Sequence, residues 1–170
     1  MSKKPKASEA APYYFTYINR ISTSDVVEYL GTQLDEMIPF LRKISDEKSL
    51  HRYAPGKWSI RQVWNHVNDA ERVFLHRAFW FARKLGEPLP SFEQDISAVS
   101  ARADEFSWGS HIEEFREIRL ATLGFFRNLH GDCWKLSGVA SGKNFTVNAL
   151  AHIIAGHAAH HRAGIEEHYL

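Results

Sequence analysis

Apolar residues recur at alternating spacings of three and four along four stretches of the chain, and no stretch shows the two-residue alternation of a half-buried strand. The first stripe is Val27, Leu30, Leu34, Met37/Ile38, Leu41 and Ile44. It predicts a helix from Ser24 or Asp25 to about Ser45, bent where Pro39 removes a backbone donor. The second stripe runs Ile60, Val63, Val67, Ala70, Phe74, Ala78, Phe81 and Leu85. It opens on Ser59 with Gln62 three residues later, a capping box, with Trp58 and Val63 placed for a hydrophobic staple. Gly86 ends it, before Pro88 and Pro90. The third stripe is Ile112, Phe115, Arg119, Thr122, Phe126 and Leu129, predicted to start at a second capping box, Ser110 with Glu113, and to stop at Gly131. The last is Val147, Leu150, Ile154, His157, His161, Ile165 and His168, on a helix from about Thr146 to the C-terminus.

Between them, residues 86–109 form a long connection with a short helical piece near Phe92–Ala103, and 131–145 form a loop. Four amphipathic helices without strands imply an all-α four-helix bundle. The short link between the first two favours antiparallel neighbours there, while the long 86–109 link leaves strict up-down order open.

Composition narrows the class. A 170-residue chain that is 44% hydrophobic sustains one core without disulfides. Lys+Arg 21 against Asp+Glu 20 gives a net charge of +1, so no field favours nucleic acid or an anionic membrane. The lone cysteine, Cys133, excludes a disulfide framework and a thiolate-rich zinc site, and its loop position reads as a small packed residue rather than a nucleophile. No apolar run approaches the roughly 18 residues of a membrane span, and the Lys-rich start lacks a secretory apolar segment. The expectation is a cytoplasmic protein with a flexible arm over residues 1–12 and one domain over 13–170. Trp80 and Phe92 are candidates for an exposed aromatic interface.

The ten histidines change the picture. His157 and His161 are one turn apart on the same helix face, at stripe positions where Leu or Ile would be ordinary. Two imidazoles buried side by side cost several kcal/mol unless something accepts their lone pairs. A divalent metal does so, and His66, at the border of the second stripe, is the third nitrogen best placed to join them. Three histidines from two helices with an open position form the pattern of a catalytic zinc or nickel site. Around it, Asp69 is three residues after His66 and a candidate to orient that ring. Arg119, charged on an apolar stripe, either pairs with a buried acid or faces a substrate carboxylate. His160, about 100° around the helix from His161, is a surface, interface or supporting residue. Arg162 is a candidate for an anionic substrate group, with solvent exposure as the alternative. Glu71 reads as a surface or ion-pair residue, and Tyr53, Lys57 and Trp58 as residues that hold the loop before the second helix.

The run Tyr53-Ala-Pro-Gly-Lys-Trp-Ser-Ile-Arg-Gln-Val-Trp-Asn-His66-Val-Asn-Asp69-Ala-Glu71-Arg72 resembles the opening signature of the DinB-like (DinB/YfiT) metalloprotein superfamily. Ala149-Leu-Ala-His-Ile-Ile-Ala-Gly-His157-Ala-Ala-His160-His161-Arg162-Ala-Gly resembles its closing signature. The resemblance implies a four-helix bundle whose three histidines, here His66, His157 and His161, hold a divalent metal such as zinc or nickel. It also implies thiol-dependent chemistry, frequently in a homodimer. The leading expectation is a metal-dependent S-transferase joining a low-molecular-weight thiol to a small electrophile. The alternatives are a metal-dependent hydrolase using bound hydroxide, and a non-catalytic metal- or ligand-binding stress-response bundle.

Overall fold

A computed structural model describes residues 3–23 and 25–170. Met1 and Ser2 of the expected arm, and the helix start expected at Ser24, lie outside the described residues. The helices in chain order are α1 (Phe15–Ile18), α2 (Val26–Arg42), α3 (Asp46–Ser49), α4 (Ile60–Ala82), α5 (Gln94–Ser100), α6 (Trp108–Arg127) and α7 (Val147–His168). Asp25 caps α2 by accepting from the amides of Val27 and Glu28. Ser59 and Gln62 form the expected capping box on α4, and Thr146 caps α7.

The structure departs from the sequence reading at several places. α4 stops at Ala82, before Leu85, because Lys84 takes a left-handed φ of 58°. α6 starts on Ser107 rather than Ser110. The reason is Trp108: its amide donates to Asp46 Oδ1 at 2.8 Å and its indole Nε1 to Leu41 O at 3.0 Å, which draws an extra turn into the core. The 131–145 loop holds a hairpin, β1 (Ser137–Ala140) against β2 (Lys143–Thr146). Ser141 and Gly142 turn it with positive φ at both central residues, 53° and 67°, the requirement of a type I′ turn. Gly138 sits on β1 because a Cβ there would lie 2.2 Å from the Phe81 ring of α4.

α2 packs against α6 and α7, and α4 packs against α6 and α7. The expectation of α2 and α4 as antiparallel neighbours is therefore corrected: they lie across the bundle from each other, because the 43–59 link contains α3 and carries the chain past one end. A polar layer joins all four long helices at mid-bundle. Arg119 of α6 donates from Nε and Nη2 to the two carboxylate oxygens of Glu71 of α4, both at 2.8 Å. Its Nη1 donates to Gln33 Oε1 of α2 at 2.7 Å, and Gln33 Nε2 donates in turn to Ala155 O of α7 at 2.9 Å. Thr122 closes the set with a hydroxyl on Glu71 Oε1 at 2.8 Å.

The arm is tied down beside α7. Thr146 N donates to Glu9 O at 3.0 Å, Thr146 Oγ1 to Glu9 Oε2 at 2.8 Å, and Asn148 Nδ2 to Lys3 O at 2.9 Å. These contacts give residues 3–9 partners that a mobile arm lacks. Beyond them α1, which the periodicity analysis leaves unassigned, lies along α7. The approach is close: a Cβ on Gly156 would stand 2.1 Å from the carbonyl oxygen of Tyr17. Gly156→Ala is expected to push α1 off α7 and lower stability by roughly 1–3 kcal/mol, as overpacking does. Thermal denaturation checks this, and an unchanged midpoint would mean α1 is not seated on Gly156.

Candidate metal centre

Apolar neighbours set the site before any polar group does. His66 sits on α4 between Val63 and Ala70, and His157 and His161 sit one turn apart on α7, so the α4–α7 seam brings the three rings together. His157 Nε2 lies 3.2 Å from His66 Nε2 and 3.1 Å from His161 Nε2. All three nitrogens fall within 4.8 Å of one another. Nitrogens about 2.1 Å from a shared cation at tetrahedral angles stand roughly 3.4 Å apart, so the observed spacing suits a common divalent ion. His66 and His157 are buried, and His161 is half-buried.

The walls are aromatic. Tyr17 of α1 meets the His157 ring edge-on at 5.1 Å, Phe74 meets it at 6.0 Å, and Trp58 lies 5.4 Å from His66. Phe92 stacks parallel to His66 at 6.5 Å. A cleft of 100 Å³ reaches His66 and His157 from one side, and a second of 280 Å³ reaches His161 from the other.

Burial is the largest cause lowering the pKa of every member of the trio. His157 is held well below the usual imidazole value by burial and then by His161 and His66. His161 is pushed down to about 3 by burial, then by His66 and His160. His66 is lowered by burial against an opposing pull from Asp69 and Asp95. All three rings are therefore neutral at pH 7, with lone pairs available to a metal. Below an ordinary pKa of about 6.5 the unfolded chain takes up protons that the folded trio refuses, so stability is complete above that value and falls as pH drops. Metal-free protein is expected to lose stability as pH falls from about 6 to 4, with His161 alone contributing up to about 1.4 kcal/mol per pH unit. Urea midpoints across that range test this; a flat profile would contradict it.

The remaining candidates are placed as follows. Asp69 does not bond the His66 ring; it accepts from Asn65 at 3.1 Å, Ser97 at 3.0 Å and Arg72 at 3.2 Å. Of the two roles open to Arg119, the structure shows pairing with the buried acid Glu71, which corrects any surface role for Glu71. His160 lies 5.0 Å from the His161 ring and 5.4 Å from Tyr17, and its buried Nδ1 has no partner. Arg162 is taken up by Glu166 at 3.1 Å and by the face of Phe40. Trp80 and Phe92 are half-buried rather than an exposed pair, the indole donating to Glu87 O at 3.0 Å. Two parts of the site escaped the sequence reading: Tyr17, whose only signal was the aromatic cluster Tyr13, Tyr14, Phe15 and Tyr17, and Arg77, which follows His66 by three helical turns on the same face of α4.

A family profile described as the DinB superfamily matches residues 29–165. The chain belongs to the DinB superfamily. That span takes in most of α2 through most of α7 and includes His66, His157 and His161 of this DinB-superfamily member. Among solved structures, it is similar to YfiT from Bacillus subtilis, described as a probable metal-dependent hydrolase with an unusual four-helix bundle topology. The TM-score is 0.72 at 16% identity, covering 98% of this chain and 91% of that one. At that identity the likeness establishes the fold alone. No curated protein sequence matches the chain significantly. Among the described residues, no helix of this DinB-superfamily chain is long and apolar enough to cross a membrane.

Proposed function

We propose that this protein is a metal-dependent S-transferase, with zinc or nickel held by His66, His157 and His161 and a low-molecular-weight thiol joined to a small electrophile. The observation that carries the reading is the convergence of three neutral Nε2 atoms, none of them bonded to a carboxylate. A divalent cation at that point supplies an electrophilic centre that lowers the pKa of a coordinated thiol or water. The chain's own residues do the rest. The imidazoles stay unprotonated, and the rings of Tyr17, Trp58, Phe74 and Phe92 limit water around them. Asp69 and Glu71 are committed to Asn65, Arg72 and Ser97, and to Arg119 and Thr122, so neither is free as a general base. A thiol ionises readily and is a strong nucleophile without a neighbouring base, whereas water activation commonly gains from one. That difference favours thiol transfer. Cys133 lines neither cleft, so the nucleophile comes from the substrate.

A second reading, metal-dependent hydrolysis, draws on the structural likeness to YfiT. The two separate in one assay. Metal-loaded protein is incubated with bacillithiol, mycothiol or glutathione and monochlorobimane, and free thiol is followed. Accelerated loss with one of the thiols is the expected result. Cleavage of model esters or amides with no thiol consumed would replace the transferase reading with the hydrolase one. Neither reaction, with metal bound, would leave a binding protein.

A further inference from the structure

Three arginines are buried in this fold, and two of them have a carboxylate. Arg119 is held by Glu71, and Arg61 donates to Asp46 Oδ2 at 2.6 Å. The third, Arg77 of α4, is 3% exposed and pairs with no Asp or Glu among the described residues. Its Nη2 donates to Pro90 O at 3.2 Å and to Ser141 Oγ at 2.9 Å, and its plane faces the Phe74 ring at 5.9 Å. The Tyr14 hydroxyl stands beside it. None of these neighbours carries a charge. A guanidinium withdrawn from water without a counter-charge is a state that folds normally avoid, and no carboxylate among the described residues takes up its remaining donors.

Position gives that charge a use. Arg77 lines the 100 Å³ cleft that also holds the His66 and His157 rings. With Val73 and Phe92 it also lines an outer groove of 310 Å³. These three residues belong to both, so the guanidinium stands where groove and inner cleft meet. His66 and Arg77 lie on one face of α4, about three turns and 16 Å apart along the axis, and the long arginine side chain can shorten the span.

We propose that Arg77 is the anion-recognition residue of this cleft, taking the carboxylate at one end of an elongated small substrate whose reactive end lies among the three imidazoles. The assignment rests on the reading of that trio as the reaction centre and adds the substrate class: an acid, with roughly ten ångströms between its carboxylate and its reacting atom. A planar carboxylate suits the guanidinium fork, which a neutral hydroxyl does not fill.

The test compares mercaptohexanoic acid with mercaptohexanol, and hexanoic acid with hexanol, by thermal-shift titration of the full chain in metal-loaded and chelator-treated forms. The acids are expected to bind at least ~10-fold more tightly than the alcohols, and Arg77→Gln should reduce that preference to less than about two-fold. Should Arg77→Gln fail to fold, Arg77→Lys keeps the charge without the planar fork and should leave a preference of only a few-fold. Equal binding of acid and alcohol by the wild type, or a preference undiminished in the variant, would overturn the proposal. Metal analysis run in parallel keeps the two ideas apart. Acid preference through Arg77 in a protein that binds no metal upholds the anion site and removes the metal reading. Bound metal with no acid preference removes the anion site alone.

Discussion

His157→Ala is expected to yield protein with almost no bound zinc or nickel, where the wild type takes up about one ion per chain. His157 is the central member of the trio, its Nε2 within 3.2 Å of His66 and 3.1 Å of His161, so its removal leaves two nitrogens with no ring between them. Loss of a partner that merely supports a ligand lowers metal affinity ~10–100-fold, and loss of a ligand should exceed that. His130→Ala is the control: that ring is 80% exposed and belongs to no cluster, and its variant should load normally. Metal analysis after equilibration with excess ion and desalting gives the answer, with circular dichroism to confirm the helices. Equal metal content in His157→Ala and wild type would end the metal reading.

Glu71→Leu should be the most destabilising single change in the core. It strands Arg119, which is fully buried, without its counter-charge, and removes the acceptor of Thr122. Breaking one side of a buried pair costs about 3–5 kcal/mol, which in a chain of this size lowers the melting temperature by roughly ten degrees. Replacing both partners, as Glu71→Met with Arg119→Met, should recover most of the loss, because no unpaired charge remains. A Glu71→Leu midpoint within about 1 kcal/mol of wild type would show that water reaches Arg119 and that the layer is not dry.

The helices were legible because their signals are local. Ser59 with Gln62, and Thr146 before Val147, fix starts by satisfying amides a few residues away, and the stripes fix which face is buried. The meeting of His66, His157 and His161 was legible for a related reason: an imidazole at a stripe position needs a partner, and two of the three share one turn. What failed depends on distant contacts. The start at Ser107 was not legible because the deciding bonds, from Trp108 to Asp46 and Leu41, join segments far apart in sequence. The exchange of α2 and α4 from neighbours to diagonal partners leaves no trace in either helix's periodicity. The hairpin hid in short strands whose burial comes from Phe81 and Leu89 rather than from an alternation of their own. Arg77 was missed because a lone arginine beside an apolar stripe usually reaches solvent by its flexible stem; its confinement by Pro90, Ser141 and Phe74 is visible only in three dimensions.

The mid-bundle layer has a bearing on catalyst design. Hydrocarbon surfaces tolerate axial sliding of one helix on the next, since one leucine fills a gap about as well as another. Arg119, Glu71, Gln33 and the Ala155 carbonyl have a single setting in which every donor meets its acceptor, and that setting fixes the height of α4 relative to α7. A chain carrying the double methionine replacement should therefore melt close to the wild type yet grip its metal less tightly, its imidazoles no longer held level. Transplanting three histidines into an oily scaffold would meet the same fate unless the crossbar travels with them.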